Sequence, residues 1–161
     1  MFRLFFVAIL LSFFVIEAKA QTVRNFSANT VSNDKVTFSG LKGHNLTIID
    51  FWASWCKPCI KSMPLIEKIY NEFKTDGVNV IGFNVDGPRS VSKVKPIISS
   101  LNISYPIILD TESKIMRDLN IEVLPSLLIV DTKGKVLYRH EGYVKGDEIE
   151  WRDVIVGLLS K

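Results

Sequence analysis

Two cysteines, Cys56 and Cys59, are the only ones in this 161-residue chain, and two residues separate them. A disulfide that closes so short a loop removes little chain entropy from the unfolded state, so a stabilising crosslink is a poor explanation for the pair. Structural zinc is equally poor, because such a site takes four ligands and neither His44 nor His140 stands at ligand spacing. The spacing therefore predicts redox chemistry between the two sulfur atoms.

The residues around the pair predict a strand followed by a helix. The apolar, β-branched and aromatic run Leu46–Trp52 is typical of a central strand buried on both faces. Apolar residues at three- and four-residue spacing follow, so we predict a helix from the Cys motif to Gly77, kinked at Pro64. Unpaired N–H groups at its first turn favour a thiolate, so we expect Cys56 to be an exposed, ionised nucleophile.

The residues next to Cys56 suit a two-step exchange. Lys57 adds a positive charge that favours the thiolate, and Pro58 suits the first turn because it lacks an N–H group. Cys59 lies one turn further on, so its sulfur can resolve a mixed disulfide by intramolecular attack. Cys59 must lose a proton to do so, and Asp50 is our candidate acceptor. The alternative is that Asp50 only satisfies a backbone group at a strand end.

The first twenty residues predict export. An apolar run over residues 4–16 follows Met1-Phe2-Arg3, and after it comes Ala18-Lys19-Ala20, the small-x-small pattern that a signal peptidase accepts. We predict a signal peptide over residues 1–20, a folded domain over 21–161 and a periplasmic location. An uncleaved signal anchor that tethers the domain to the membrane is the alternative, although the run is short for a membrane span.

The remaining chain predicts one α/β domain. The 20 Lys and Arg and 17 Asp and Glu are scattered along it, so no nucleic-acid surface is indicated. Residues 21–30 are polar and unpatterned and predict a mobile lead-in. The patterns predict strands at 35–38, 78–84, 105–110, 126–130 and 135–141, and helices at 90–101, 113–119 and 151–159. This alternation predicts a three-layer sandwich around a mixed sheet, with an antiparallel edge pair at the C-terminal side.

The segment 50–59, DFWASWCKPC, resembles the thioredoxin active site, and the whole chain looks most like the exported TlpA/ResA-like branch of that superfamily. The resemblance runs from about Phe38 to the C-terminus. It implies a thioredoxin-like three-layer α/β/α sandwich with a central mixed sheet and a helix-plus-strand insertion before Pro125. Relatives often carry Glu three residues after the second cysteine, where this chain has Ser62, so Asp50 is expected to carry more of the proton transfer.

The resemblance also implies roles for residues outside the cysteine pair. Pro125 matches the position that is cis in the thioredoxin fold, and Leu124 would then pair its backbone with a client chain as a short added strand. Trp52 is expected to be buried. Trp55, with Lys57 and Pro58, would form an exposed rim that contacts the client.

These expectations describe a reductase of disulfides in exported client proteins, including cytochrome c maturation. The implied partners are client disulfides and a membrane-embedded electron donor of the DsbD or CcdA type. No cofactor beyond the Cys56–Cys59 disulfide, no metal and no nucleic acid is expected, and the chain is predicted to be a monomer. The alternatives are a disulfide oxidant or isomerase, and a non-enzymatic metal- or haem-handling protein of the same fold.

Overall fold

The computed structural model describes residues 21–161, so the predicted signal peptide, residues 1–20, lies outside the described part. Seven strands are described there: β1 Ser27–Asn29, β2 Lys35–Thr37, β3 Leu46–Trp52, β4 Val78–Asn84, β5 Ile107–Leu109, β6 Ser126–Asp131 and β7 Val136–Glu141. The last five form a sheet in the order β5-β4-β3-β6-β7, in which β3 is parallel to β4 and antiparallel to β6. The sheet is mixed and ends in an antiparallel pair, as predicted.

Helices cover both faces of this sheet. They are α1 Phe38–Leu41, α2 Lys57–Phe73, α3 Val94–Ser100, α4 Lys114–Asp118 and α5 Asp147–Leu159. Side chains of α2, α3 and α5 share one apolar core with the sheet, and side chains of α1 and α4 share the other. The predicted thioredoxin-like sandwich is confirmed, and α3 and β5 occupy the stretch where the insertion was expected. Within residues 21–161, no helix has the length and apolarity needed to cross a bilayer.

Strand β3 leads directly into the turn that carries the cysteine motif. All seven of its residues are buried, as the continuous apolar run predicts. Its side chains alternate between the two cores, with Ile48 and Trp52 on the α2 side and Ile49 and Phe51 on the other. Asp50 therefore points towards α2, which begins directly after the turn that follows β3.

Two local predictions are wrong. The lead-in 21–30 is not a free segment, because β1 pairs with β2 and the Val23 N–H donates to the Gly134 carbonyl at 2.8 Å. Backbone pairing needs no hydrophobic pattern, so the side chains gave no signal. Phe38 begins α1 instead of ending a strand, because the Thr37 hydroxyl accepts the Gly40 N–H at 3.2 Å and caps the helix.

Candidate active site

The cysteine pair is a disulfide at the start of α2, with an S–S distance of 1.96 Å. Cys56 is the N-cap residue of α2, and its Sγ accepts a hydrogen bond from the Cys59 N–H at 3.3 Å. The Cys56 N–H donates to the Ala53 carbonyl at 3.0 Å, which closes a tight turn before the helix. Negative charge on Cys56 Sγ therefore faces an N–H donor and the positive end of the helix dipole, as the sequence predicts.

The exposure of this site differs from the prediction in one respect. Cys59 is 0% exposed and Cys56 only 5%, so the expectation of an openly exposed sulfur is wrong. The Cys56 sulfur turns back towards Cys59 over the first turn of α2, which buries most of it. Trp55 is 67% exposed and Lys57 and Pro58 are exposed, so the side chains that flank Cys56 in the sequence lie at the surface.

Asp50 is buried beneath the helix without a hydrogen-bond partner. Among the described residues, neither of its carboxylate oxygens accepts a hydrogen bond. The alternative that it satisfies a backbone group is therefore wrong. Burial raises the pKa of Asp50 from 3.8 to about 7, where a carboxyl group can exchange protons near neutral pH.

The neighbour of Asp50 across the sheet is a glycine, and this lets aromatic residues pack closely against that strand. Gly82 is the register partner of Asp50 in β4. A Cβ at Gly82 would lie 2.5 Å from Ile107 Cδ1, 3.2 Å from Tyr105 Cε2 and 3.4 Å from Trp52 Nε1. Burial, with the charges of Asp50 and Glu67, holds the pKa of Tyr105 well above its usual value. Its phenol therefore stays neutral beside the carboxyl group.

The peptide bond between Leu124 and Pro125 is cis, as the resemblance implies. Ser126, the next residue, pairs with Phe51 near the end of β3. Pro125 consequently lies at the same edge of the sheet as the turn that leads to Cys56. The Pro125 carbonyl accepts the Gly142 N–H at 2.8 Å, which fixes the segment after β7 beside the cis peptide.

A network that the sequence did not reveal holds the loop after Gly142. Asp147 Oδ2 lies 2.9 Å from His140 Nε2 and accepts the Val144 N–H at 2.8 Å. Tyr138 donates its hydroxyl to Glu150 at 2.8 Å and lies 3.3 Å from His140 Nδ1. Residues of β7 and α5 are thereby joined across the loop that borders Pro125.

Replacing Asp147 with alanine should destabilise the fold, because it leaves the Val144 N–H and the His140 ring without their shared partner. Hydrogen bonds to charged groups contribute about 1.5 to 3 kcal/mol each, so the loss of two should lower the free energy of unfolding by about 3 kcal/mol or more. Urea denaturation measures it. Asp153→Ala, on the exposed side of the same helix, is the matched control and should change stability by less than about 0.5 kcal/mol. Equal effects of the two substitutions would contradict the network.

A second network fixes the turn between β3 and Cys56. Asp86 is buried just after β4, and its two carboxylate oxygens accept the Ser54 N–H and hydroxyl, each at 2.7 Å. Asn84 donates to the same carboxylate at 2.7 Å. Asp86 was not among the residues predicted from the sequence, although it follows a buried parallel strand, and functional groups gather at the carboxyl ends of such strands.

The position of the family glutamate is occupied by a buried hydroxyl. The Ser62 Oγ donates to the Cys59 carbonyl at 3.0 Å inside α2, so it supplies no ionisable group. Among residues 21–161, no group of three or more His, Cys, Asp and Glu side chains is arranged to hold a metal ion.

Comparison with known proteins agrees with this site. The profile of the AhpC/TSA family matches residues 20–139, most of the chain. The chain belongs to the AhpC/TSA family. This AhpC/TSA-family chain is 29% identical over 126 residues to the thiol-disulfide oxidoreductase ResA of Bacillus cereus, covering 78% of the chain and 71% of ResA. It is 31% identical over 133 residues to the thioredoxin-like protein YneN of Bacillus subtilis, covering 82% and 76%.

A solved structure shows the same fold. The candidate thiol:disulfide interchange protein DsbE of Chlorobium tepidum superposes with a TM-score of 0.79 at 24% identity, covering 87% of this AhpC/TSA-family chain and 96% of that protein. The predicted resemblance to ResA-like oxidoreductases is confirmed.

Proposed function

We propose that this thiol:disulfide oxidoreductase reduces disulfides in exported client proteins, with cytochrome c maturation as one setting. The observation that carries the proposal is the Cys56–Cys59 disulfide at the N-terminus of α2, with a buried carboxyl group of raised pKa beneath it. The relatives named ResA and DsbE support a redox role for the pair. The predicted signal over residues 1–20 supports a periplasmic location, with or without a membrane tether.

The reaction begins from the reduced pair. The Cys56 thiolate attacks one sulfur of a client disulfide, and the other client sulfur leaves as a thiolate and takes a proton. Cys59 then attacks Cys56 Sγ in the mixed disulfide, which releases the second client sulfur. The client gains two electrons and two protons, and the enzyme is left with the Cys56–Cys59 disulfide. Asp50 accepts the Cys59 proton in the second step.

The surface around Cys56 supplies the client contacts. Trp55, Lys57 and Pro58 form the exposed side of the site, and an extended client segment pairs with the backbone of Leu124 before cis-Pro125. Such pairing holds a client disulfide over the small accessible part of Cys56. The enzyme acts as a monomer and is reduced again by a membrane electron donor of the DsbD or CcdA type.

The reduction potential of the pair tests the direction of electron flow. A reductase is expected near the thioredoxin value of about −270 mV, and an oxidant near about −120 mV. Equilibration of the purified protein, residues 21–161, with glutathione buffers and with dithiothreitol measures it. A value above about −180 mV would assign the pair to oxidation or isomerisation instead. Failure of the two thiols to form an intramolecular disulfide would remove the enzymatic proposal.

A further inference from the structure

The turn before Cys56, which contains Ser54 and Trp55, is hydrogen-bonded to a residue at the end of the sheet. Ser54 lies in this turn, and both its N–H and its hydroxyl donate to Asp86, each at 2.7 Å. The Val85 N–H donates to the Trp52 carbonyl at 3.0 Å, so the chain ends leaving β3 and β4 run side by side. Asp86 is therefore directly under the residues that precede the nucleophile.

The carboxylate of Asp86 is charged although it is buried. Burial opposes its ionisation, but hydrogen bonds from Ser54 and Asn84 outweigh that effect and hold the pKa of Asp86 below its ordinary value. Each of these donors is at 2.7 Å, the length of a charge-assisted hydrogen bond. A full negative charge is therefore fixed in a place that solvent does not reach.

That charge is hydrogen-bonded to Ser54, two residues before Cys56. The Cys56 N–H closes its turn on the Ala53 carbonyl at 3.0 Å, which brings Ser54 and Cys56 close together. A fixed negative charge close to a sulfur atom disfavours its thiolate, and in a poorly hydrated site this effect is only weakly screened by salt. Asp86 thus opposes the α2 dipole and Lys57, both of which favour the thiolate.

We propose that Asp86 is a positioning residue that also lowers the reduction potential of the Cys56–Cys59 pair. Its carboxylate holds the turn that contains Ser54. Its negative charge disfavours the Cys56 thiolate and so favours the disulfide. A couple whose thiolate is less stabilised gives up electrons more readily, because the reduced form is less stable. The inference rests on the proposed function in one respect: a lower reduction potential is useful to an enzyme that reduces its clients. The sequence offers no second carboxylate in this turn.

The test compares glutathione equilibria of matched variants of the protein, residues 21–161. In this reaction the disulfide takes two electrons and two protons from two glutathione molecules and gives the dithiol and glutathione disulfide. Asp86→Asn is expected to shift the equilibrium constant towards the dithiol by about fivefold or more. Asp76→Asn, which removes an exposed carboxylate in the turn that follows the C-terminus of α2, should shift it by less than about twofold.

Further arms separate charge from structure. Ser54→Ala keeps the charge and loses one hydrogen bond, so its equilibrium constant should stay within about twofold of the unchanged protein. Asp86→Ser carries no charge but offers a hydroxyl to the Ser54 N–H, and it replaces Asp86→Asn if that variant does not fold. The change in the equilibrium constant caused by Asp86→Asn should persist in about 0.5 M salt, because salt screens surface charges much more than a buried charge.

The inference is overturned if Asp86→Asn and Asp76→Asn give the same equilibrium constant, or if Ser54→Ala shifts it as far as the charge-removing variants do. The absolute potential of the unchanged protein decides the proposed function separately. A difference between variants can be present whatever that potential is, so the two proposals fail in distinguishable ways.

Discussion

Replacing Cys59 with serine is expected to leave client proteins covalently attached to Cys56. The first attack needs only the Cys56 thiolate, whereas release of the client needs the second sulfur. Cys59 is the residue whose sulfur is bonded to Cys56 and whose backbone N–H also contacts it, so no other group in the described chain can take its place. Turnover should stop after one mixed disulfide per enzyme molecule.

The opposite substitution, Cys56→Ser, is expected to give a protein that captures almost nothing. Cys59 is fully buried behind the first turn of α2, while Cys56 keeps a small exposed face beside the Trp55 rim. A buried thiol reacts slowly because clients cannot reach it. We expect at least about tenfold less mixed disulfide than with Cys59→Ser.

Non-reducing gel electrophoresis of the two variants, expressed with the export signal and quenched in acid, measures the captured clients. The Cys56→Ser/Cys59→Ser double variant shows the background, and dithiothreitol should release every captured band. Equal capture by the two single variants would mean that either sulfur can attack first. Greater capture by Cys56→Ser would reverse the assigned roles.

Much of this site could be predicted because its signals are local. Leu46–Trp52 forms the buried central strand and Cys56 caps the N-terminus of the helix, since strand burial and helix capping depend on residues close in sequence. Burial of Trp52 and exposure of Trp55 also agree with prediction. The cis peptide before Pro125 required the resemblance, because no local pattern distinguishes it from a trans bond.

Two of the misses have a common physical cause, which is contact between residues far apart in sequence. Asp86 and Ser54 are 32 positions apart, and their two hydrogen bonds exist only because β3 and β4 are neighbours. The paired lead-in depends on backbone groups meeting the Gly134 carbonyl, which no side-chain pattern records. The near-complete burial of Cys56 follows from how its sulfur turns over α2, a detail finer than sequence spacing.

Asp50→Asn should make the protein more stable at pH 8 and less active. The folded protein keeps the Asp50 proton up to its pKa of about 7, whereas the unfolded chain loses it near 3.8. Between those values the unfolded state binds fewer protons, so stability falls as pH rises through this window and is level above it. The loss is about 4 kcal/mol in total, at about 1.4 kcal/mol per pH unit.

The asparagine variant has no such titration because an amide is neutral throughout. The difference in unfolding free energy between Asp50→Asn and the unchanged protein should therefore grow from pH 4 to pH 7 and stay constant above. Urea denaturation at intervals over pH 4 to 8 measures it. Asp76→Asn, at an exposed position, should leave the pH dependence as it is. A difference that does not change with pH would show that Asp50 is ionised in the folded protein at low pH.

The same substitution should slow the resolution of the mixed disulfide. If the Asp50 carboxylate accepts the Cys59 proton, the rate of client release rises with pH through the pKa of about 7, and Asp50→Asn removes that rise. General base catalysis contributes about a hundredfold or more, so release at pH 7.5 should slow by about that factor. The initial attack by Cys56 should change far less, because its thiolate is stabilised by the α2 N-terminus. Rapid-mixing kinetics with a fluorescent peptide disulfide separates the two steps. Equal slowing of both steps would mean that Asp50 maintains the structure of the site and does not transfer the proton.

The burial of Asp50 supports the role in proton transfer. Its carboxyl group lowers the stability of the fold when it is charged, and within the described chain no hydrogen bond holds it. Exchange of its proton with Cys59 explains why such a group lies there.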